Sequence, residues 1–93
     1  MIVYVSIGNS DDKLTQAEWS AFARQVRYEL DTRSEVMHGA WFSAPYAPWQ
    51  NACFCVAFAT RDDATMAREV ITEIRKAYRQ DSVGWAVAET EFI

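Results

Sequence analysis

Two segments of the chain carry apolar residues at the spacing of an α-helix, and this pattern constrains the fold more than any other. The first follows Thr15, which stands at capping-box spacing from Glu18. The second follows Thr60, with acidic residues in the first turn, where the helix dipole favours negative charge. The apolar stripes are Trp19, Phe22, Ala23, Val26 and Leu30 in the first segment, and Ala67, Val70, Ile71, Ile74 and Tyr78 in the second. We therefore predict two amphipathic helices.

Four segments rich in β-branched and aromatic residues flank these helices. They are residues 2–7, 35–43, 52–59 and 82–92. Because strand–helix–strand crossovers are right-handed, the order βαββαβ predicts a ferredoxin-like α+β fold. In this fold a four-stranded antiparallel sheet has the spatial order 4-1-3-2, and both helices lie on one face. Residues 1–93 fit one such domain, and no linker, repeat or low-complexity segment divides them.

The charge of the chain disfavours nucleic acid as a partner. Thirteen acidic and nine basic residues give a formal net charge of −4. The arginines alternate with acids on the predicted helices instead of forming a basic stripe. The first apolar run reaches Asp11 too soon for a signal peptide or a membrane span. We therefore expect a cytoplasmic protein that binds neither nucleic acid nor membrane.

The chain has two cysteines, Cys53 and Cys55, and a single histidine, His38. Two residues apart on a strand, the cysteines would lie about 6.6 Å apart, near the upper limit for a disulfide, so we expect free thiols. Together with His38 they supply three ligands, one fewer than a closed structural zinc site requires. The trio could therefore form only a catalytic zinc site, in which one coordination position stays open. Free cysteines are more often core residues. We expect neither a metal nor a cofactor.

The connection between the second and third strands, residues 43–51, has the composition of a binding surface. A hairpin turn is normally short and built from Gly, Asn or Asp. This one instead holds Tyr46 and Trp49 beside two prolines. Gln50 and Asn51 add amides that suit hydrogen bonding to a partner backbone or a flat polar ligand. The alternative is that Trp49 shields the edge of the core.

The predicted topology places three connections at one end of the sheet. Because strands 1 and 2 run opposite to strands 3 and 4, the loop at 9–14 and the turn at 79–82 lie beside the hairpin. The candidate partner-binding residues at this end are Asn9, Asp11, Asp12, Tyr46, Trp49, Gln50 and Asn51. Asn9 could instead bond the backbone of its own loop. The adjacent carboxylates point only weakly to a cation or an acid–base pair, and we expect no catalytic residue.

Neither face of the predicted sheet is polar. The first strand places Val3 and Val5 on one face and Ile2 and Tyr4 on the other, although a half-solvated strand normally alternates between apolar and polar residues. An uncovered apolar face commonly marks an interface. We expect it to pack against something, most simply a second copy across a two-fold axis. The alternative is that the hairpin or residues 92–93 fold over it.

Two stretches of the chain resemble small uncharacterised proteins encoded by actinobacteria and by their phages. They are GNSDDKLTQAEW at 8–19 and WFSAPYAPWQNACFC at 41–55. The resemblance carries no activity. It implies at most an accessory role, such as that of a phage protein that binds a host factor.

Two functions from different classes remain open. The first is a non-enzymatic protein-interaction module that acts through the hairpin and the adjacent loops. The second is a dimeric α+β barrel, either a ligand-binding protein or a small cofactor-free oxygenase-like enzyme. Its two sheets would enclose a pocket lined by Tyr4, His38, Cys53, Cys55 and Trp85, with His38 as the acid or base. We favour the first, because a lone histidine on a strand more often fills a structural role.

Overall fold

A computed structural model describes all 93 residues of the chain. The elements are β1 (Ile2–Gly8), α1 (Gln16–Arg33), β2 (Val36–Phe42), β3 (Asn51–Ala57), α2 (Arg61–Ala77) and β4 (Gly84–Ala88). The strands form one antiparallel sheet in the order β2-β3-β1-β4, which is the predicted order 4-1-3-2 read in reverse. The predicted ferredoxin-like α+β fold is therefore confirmed.

Both helices begin at the threonines that the sequence indicates. The Thr15 hydroxyl accepts a hydrogen bond from the Glu18 amide at 3.2 Å, and the Glu18 carboxylate accepts one from the Thr15 amide at 3.1 Å. This reciprocal pair is a complete capping box. At α2 the Thr60 hydroxyl accepts from the Asp63 amide at 3.1 Å. The chain therefore satisfies the first free amides of each helix with local side chains.

The core lies between the two helices and one face of the sheet. Phe22, Phe54 and Phe58 are its largest fully buried side chains. The buried residues of α1 are the five of the predicted stripe. In α2 the prediction is right in part, because Ala67 and Ile71 are buried, Ala64 is buried in addition, and Val70, Ile74 and Tyr78 are only half-buried. Neither helix combines the length and the apolarity that crossing a membrane requires.

The last strand is shorter than the sequence predicts. Residues 82–92 have a strand-like composition, but β4 spans only Gly84–Ala88. It pairs with β1, and Ala88 lies opposite Ile2, the first residue of that strand. The ladder between β4 and β1 ends at this pair. Phe92 remains 94% exposed, and the C-terminal residues do not fold over the sheet.

Candidate functional site

The hairpin, the loop after β1 and the turn before β4 meet at one end of the sheet. The Asn9 amide donates to the Gln50 carbonyl at 2.8 Å, which joins the loop to the hairpin. Lys13 Nζ lies 3.3 Å from the carboxylate of Asp81, which joins the loop to the turn. We call this region, residues 9–14, 43–51 and 79–82, the loop end. The three connections that topology predicts to be neighbours are therefore in contact.

Asn9 is buried and supports the loop end from inside. Its side-chain amide donates to the Leu14 carbonyl at 3.0 Å and to Gln50 Oε1 at 3.2 Å, and its Oδ1 accepts from the Leu14 amide at 3.1 Å. Only 4% of its surface is exposed. The side chain is fully used within the chain, so Asn9 takes the structural role that the sequence left as an alternative.

Gln50 also holds the loop end together, and its side chain forms hydrogen bonds with the first helix. Its side-chain amide exchanges hydrogen bonds with that of Gln16, at the start of α1, with Gln16 Nε2 donating at 3.3 Å and Gln50 Nε2 donating in return. The base of the hairpin is thereby fixed to α1 as well as to the loop after β1. Sequence reasoning missed Gln16, because no local pattern connects a residue at a helix start with a hairpin 34 positions away.

Beyond this base the hairpin exposes its aromatic side chains. Tyr46 is 92% exposed and Trp49 is 52% exposed. Trp49 lines a cavity of about 430 Å³ between the hairpin and the loop after β1. The residues around this cavity are Asn9, Ser10, Asp12, Gln16, Pro45, Ala47, Pro48, Trp49 and Gln50. Half of the indole surface therefore faces solvent and is free to contact a partner.

The two acidic residues of the loop differ in their surroundings. The Asp11 carboxylate accepts from the Lys13 amide at 3.2 Å and lies 3.7 Å from Lys13 Nζ, so its charge is compensated within the loop. Asp12 has a left-handed backbone, with φ of 56°, in a turn closed by its amide donating to the Asn9 carbonyl. It lines the cavity beside Trp49 and makes no ion pair. Asp12 therefore gives the cavity an uncompensated negative charge.

Asn51 lies outside this cavity. Its backbone closes the hairpin, because its amide donates to the Ser43 hydroxyl at 3.0 Å and its carbonyl accepts from the Ser43 amide at 2.9 Å. With Asp11 and Asp81 it lines a separate cavity of about 370 Å³. The seven predicted residues thus share the loop end but not one cavity: Asn9, Asp12, Trp49 and Gln50 line the first, Asp11 and Asn51 line the second, and Tyr46 lines neither.

The residues of the alternative pocket do not share one surface. Trp85 lies on the helix-covered face of the sheet, where its ring stacks with Phe58 at a centroid distance of 6.1 Å. Tyr4 pairs with Cys55 on the opposite face, since adjacent positions of a strand point in opposite directions. His38 is exposed, at a point where the register between β2 and β3 shifts as in a β-bulge. The prediction of one pocket is therefore wrong for Trp85.

Tyr4 and the two cysteines interact on the face of the sheet away from the helices. The hydrogen bond with the Cys55 thiol raises the pKa of Tyr4 above its ordinary value, and the charges of both cysteines and partial desolvation add to the effect. Ser6 Oγ donates to Cys53 Sγ at 3.6 Å. Both thiols are free, as predicted. No three histidine, cysteine, aspartate or glutamate side chains come together in a group that could hold a metal ion.

Comparison of the chain with models of known protein families and with curated proteins gave no match. The function therefore has to be argued from the residues of the loop end themselves.

Proposed function

We propose that this protein is a small, non-enzymatic cytoplasmic module that binds another protein through the hairpin at residues 43–51. The observation that supports this function best is the exposure of Tyr46 and Trp49 on a hairpin whose base is hydrogen-bonded to the buried Asn9 and to Gln16 of α1. Tyrosine and tryptophan are frequent anchors of protein interfaces, because they bury a large area while few rotatable bonds become ordered. A base that is already ordered lowers the entropic cost of binding.

The cavity beside Trp49 indicates which chemistry the partner should present. It combines an aromatic side chain with the carboxylate of Asp12, which has no cation of its own. A lysine or arginine side chain would gain charge attraction there, and a cation–π contact with an indole adds about 0.5–2 kcal/mol. The net charge of −4 also favours the approach of a basic surface. We therefore expect the partner to insert a basic side chain beside Trp49.

The resemblance of both loop-end stretches to phage-encoded proteins makes a host protein the first class of partner to test. Capture from an actinobacterial extract would identify candidates, and binding of each purified candidate would then be measured by calorimetry. The baits are wild type, Tyr46→Ala, Trp49→Ala and Trp41→Ala. Trp41 is the matched control, because it is 55% exposed, almost as Trp49 is, but lies in β2.

We expect Trp49→Ala and Tyr46→Ala each to weaken binding about thirtyfold, which corresponds to the loss of about 2 kcal/mol at an interface anchor. Trp41→Ala should bind as wild type does. Asp12→Asn should weaken binding at low salt and have less effect at high salt, because added salt screens an exposed charge. Equal binding by wild type and both hairpin variants would overturn the proposal.

A further inference from the structure

Every charged residue of the chain lies outside the sheet. None of the thirteen acidic and nine basic residues falls in β1, β2, β3 or β4. One face of the sheet is covered by the helices, and we call the other the open face; it consists of alternate residues of each strand in register with Tyr4. An antiparallel sheet with one face in water normally carries polar and charged side chains there. The open face lacks the charges that a solvated surface has.

Side-chain size changes from one edge of the open face to the other. At the β2 edge the positions are Val36, Gly39 and Trp41; Val36 and Trp41 are 44% and 55% exposed, and the Trp41 indole lies over Gly39. At the β4 edge the positions are Gly84, Ala86 and Ala88. The open face therefore has one raised edge and one low edge.

This gradient makes the open face complementary to a rotated copy of itself. Consider a two-fold axis that is parallel to the strands and lies between two stacked sheets. Rotation about it reverses the order of strands, so β2 of one protomer lies over β4 of its partner, and β4 over β2. Stacked sheets lie about 10 Å apart, a gap that a large residue facing a small one fills without overlap. The large residues at the β2 edge of each protomer then lie against the small residues at the β4 edge of the other. Both protomers use the same surface, as in an isologous interface.

We propose that the open face binds a second copy of this chain about such an axis. Four strands spaced by about 4.8 Å and about 20 Å long offer roughly 400 Å² of flat area per copy. The pair therefore buries about 800 Å² of flat sheet surface, to which protruding side chains and the rim of the interface add; this lies below the about 1,200 Å² at which standard interfaces begin, so the expected dimer is weak and reversible. The interface does not use the hairpin, so it is independent of the function proposed above.

Two neighbouring residues of β4 provide a matched test. Ala86 and Val87 are both exposed, but Ala86 pairs with Tyr4 on the open face and Val87 pairs with Val3 on the helix-covered face. Ala86→Glu places a charge inside the interface, and Val87→Glu places the same charge outside it. Sedimentation equilibrium from low to high micromolar concentration measures the mass of each. We expect wild type and Val87→Glu to rise from the monomer mass of 10.6 kDa to twice that value.

Ala86→Glu should raise the dissociation constant at least about a hundredfold, because a symmetric dimer buries two uncompensated charges. Trp41→Ala is a second variant, at the raised edge, and should also weaken the dimer. Trp49→Ala should leave it intact, so failure of this proposal is distinguishable from failure of the hairpin proposal. Circular dichroism confirms that each variant is folded. A wild-type protein that stays monomeric, or equal dimerisation of Ala86→Glu and Val87→Glu, would contradict the proposal.

Discussion

Replacement of Asn9 by alanine tests whether buried hydrogen bonds hold the loop end together. The Asn9 side chain accepts a hydrogen bond from the Leu14 amide and donates one to the Leu14 carbonyl, and Leu14 is only 3% exposed. It also donates to Gln50 Oε1. Alanine removes these hydrogen-bond partners at a position where both Asn9 and Leu14 are almost fully buried. The expected loss is therefore the desolvation penalty of groups left unpaired, which exceeds the net contribution of an ordinary hydrogen bond.

The size of the effect follows from the groups that lose their partner. Each buried polar group left unsatisfied costs about 1–3 kcal/mol. The Leu14 amide and carbonyl together give a loss of about 2–4 kcal/mol, with the carbonyl counted at the low end of that range. In a chain of this length each kcal/mol lowers the Tm by about 4–8 °C. We therefore expect the Tm of Asn9→Ala to fall by roughly 8–32 °C.

Thermal unfolding followed by circular dichroism measures this change. All variants are compared at one protein concentration, because the proposed self-association would make the Tm concentration-dependent. Ser10→Ala is the control, since Ser10 is the exposed neighbour of Asn9, and its Tm should stay within about 4 °C of wild type. If Asn9→Ala melts together with Ser10→Ala, the buried hydrogen bonds do not hold the loop end, and the rigid base invoked for the hairpin is refuted.

Two further variants test the core and the start of α1. Phe54→Ala should lower the free energy of unfolding by about 3–5 kcal/mol in denaturant titrations, while Phe92→Ala, at a 94% exposed residue, should change it by less than about 0.5 kcal/mol; similar values for both would contradict the core assignment. The Arg79 guanidinium and the Thr15 amide hold the pKa of Glu18 below its ordinary value of 4.5. Because the folded-state pKa is the lower one, this contribution to stability is present above about pH 4.5 and is lost as the pH falls through the folded-state pKa. Denaturant midpoints should therefore decline less steeply with acid in Glu18→Gln than in wild type, and parallel declines would exclude this role for Glu18.

The helices and most strand boundaries could be predicted from local pattern alone. The capping box of Thr15 and Glu18 lies within one helical turn, so the sequence of these four residues is enough to predict where α1 begins. The end of β4 could not be predicted in the same way. Phe92 belongs to a strand-like segment, but β4 pairs with β1 only as far as Ala88, which lies opposite Ile2. The extent of this pairing depends on a strand that is distant in the sequence, so local composition does not show it.

The position of the loop end followed from topology, but its internal arrangement did not. Asn9 and Asp12 are both polar residues of one short loop, and composition does not distinguish them. The turn around Leu14 buries Asn9, whereas Asp12 remains exposed at the cavity beside Trp49. The sequence also did not decide whether Trp49 is exposed, because a tryptophan suits both shielding of the core and contact with a partner.

The sequence by itself determined the order of elements and the buried face of α1, since these depend on neighbours within a few positions. Tertiary structure decided that the strands carry no charge, because the predicted strands contained Glu35, Glu89 and Glu91, which lie outside β2 and β4. Tertiary structure decided which loop residues support the site and which remain free. It also decided that the bulky and the small residues of the open face stand at opposite edges. These outcomes depend on contacts between residues far apart in the chain, such as Gln16 with Gln50, and on a strand order that no single strand encodes.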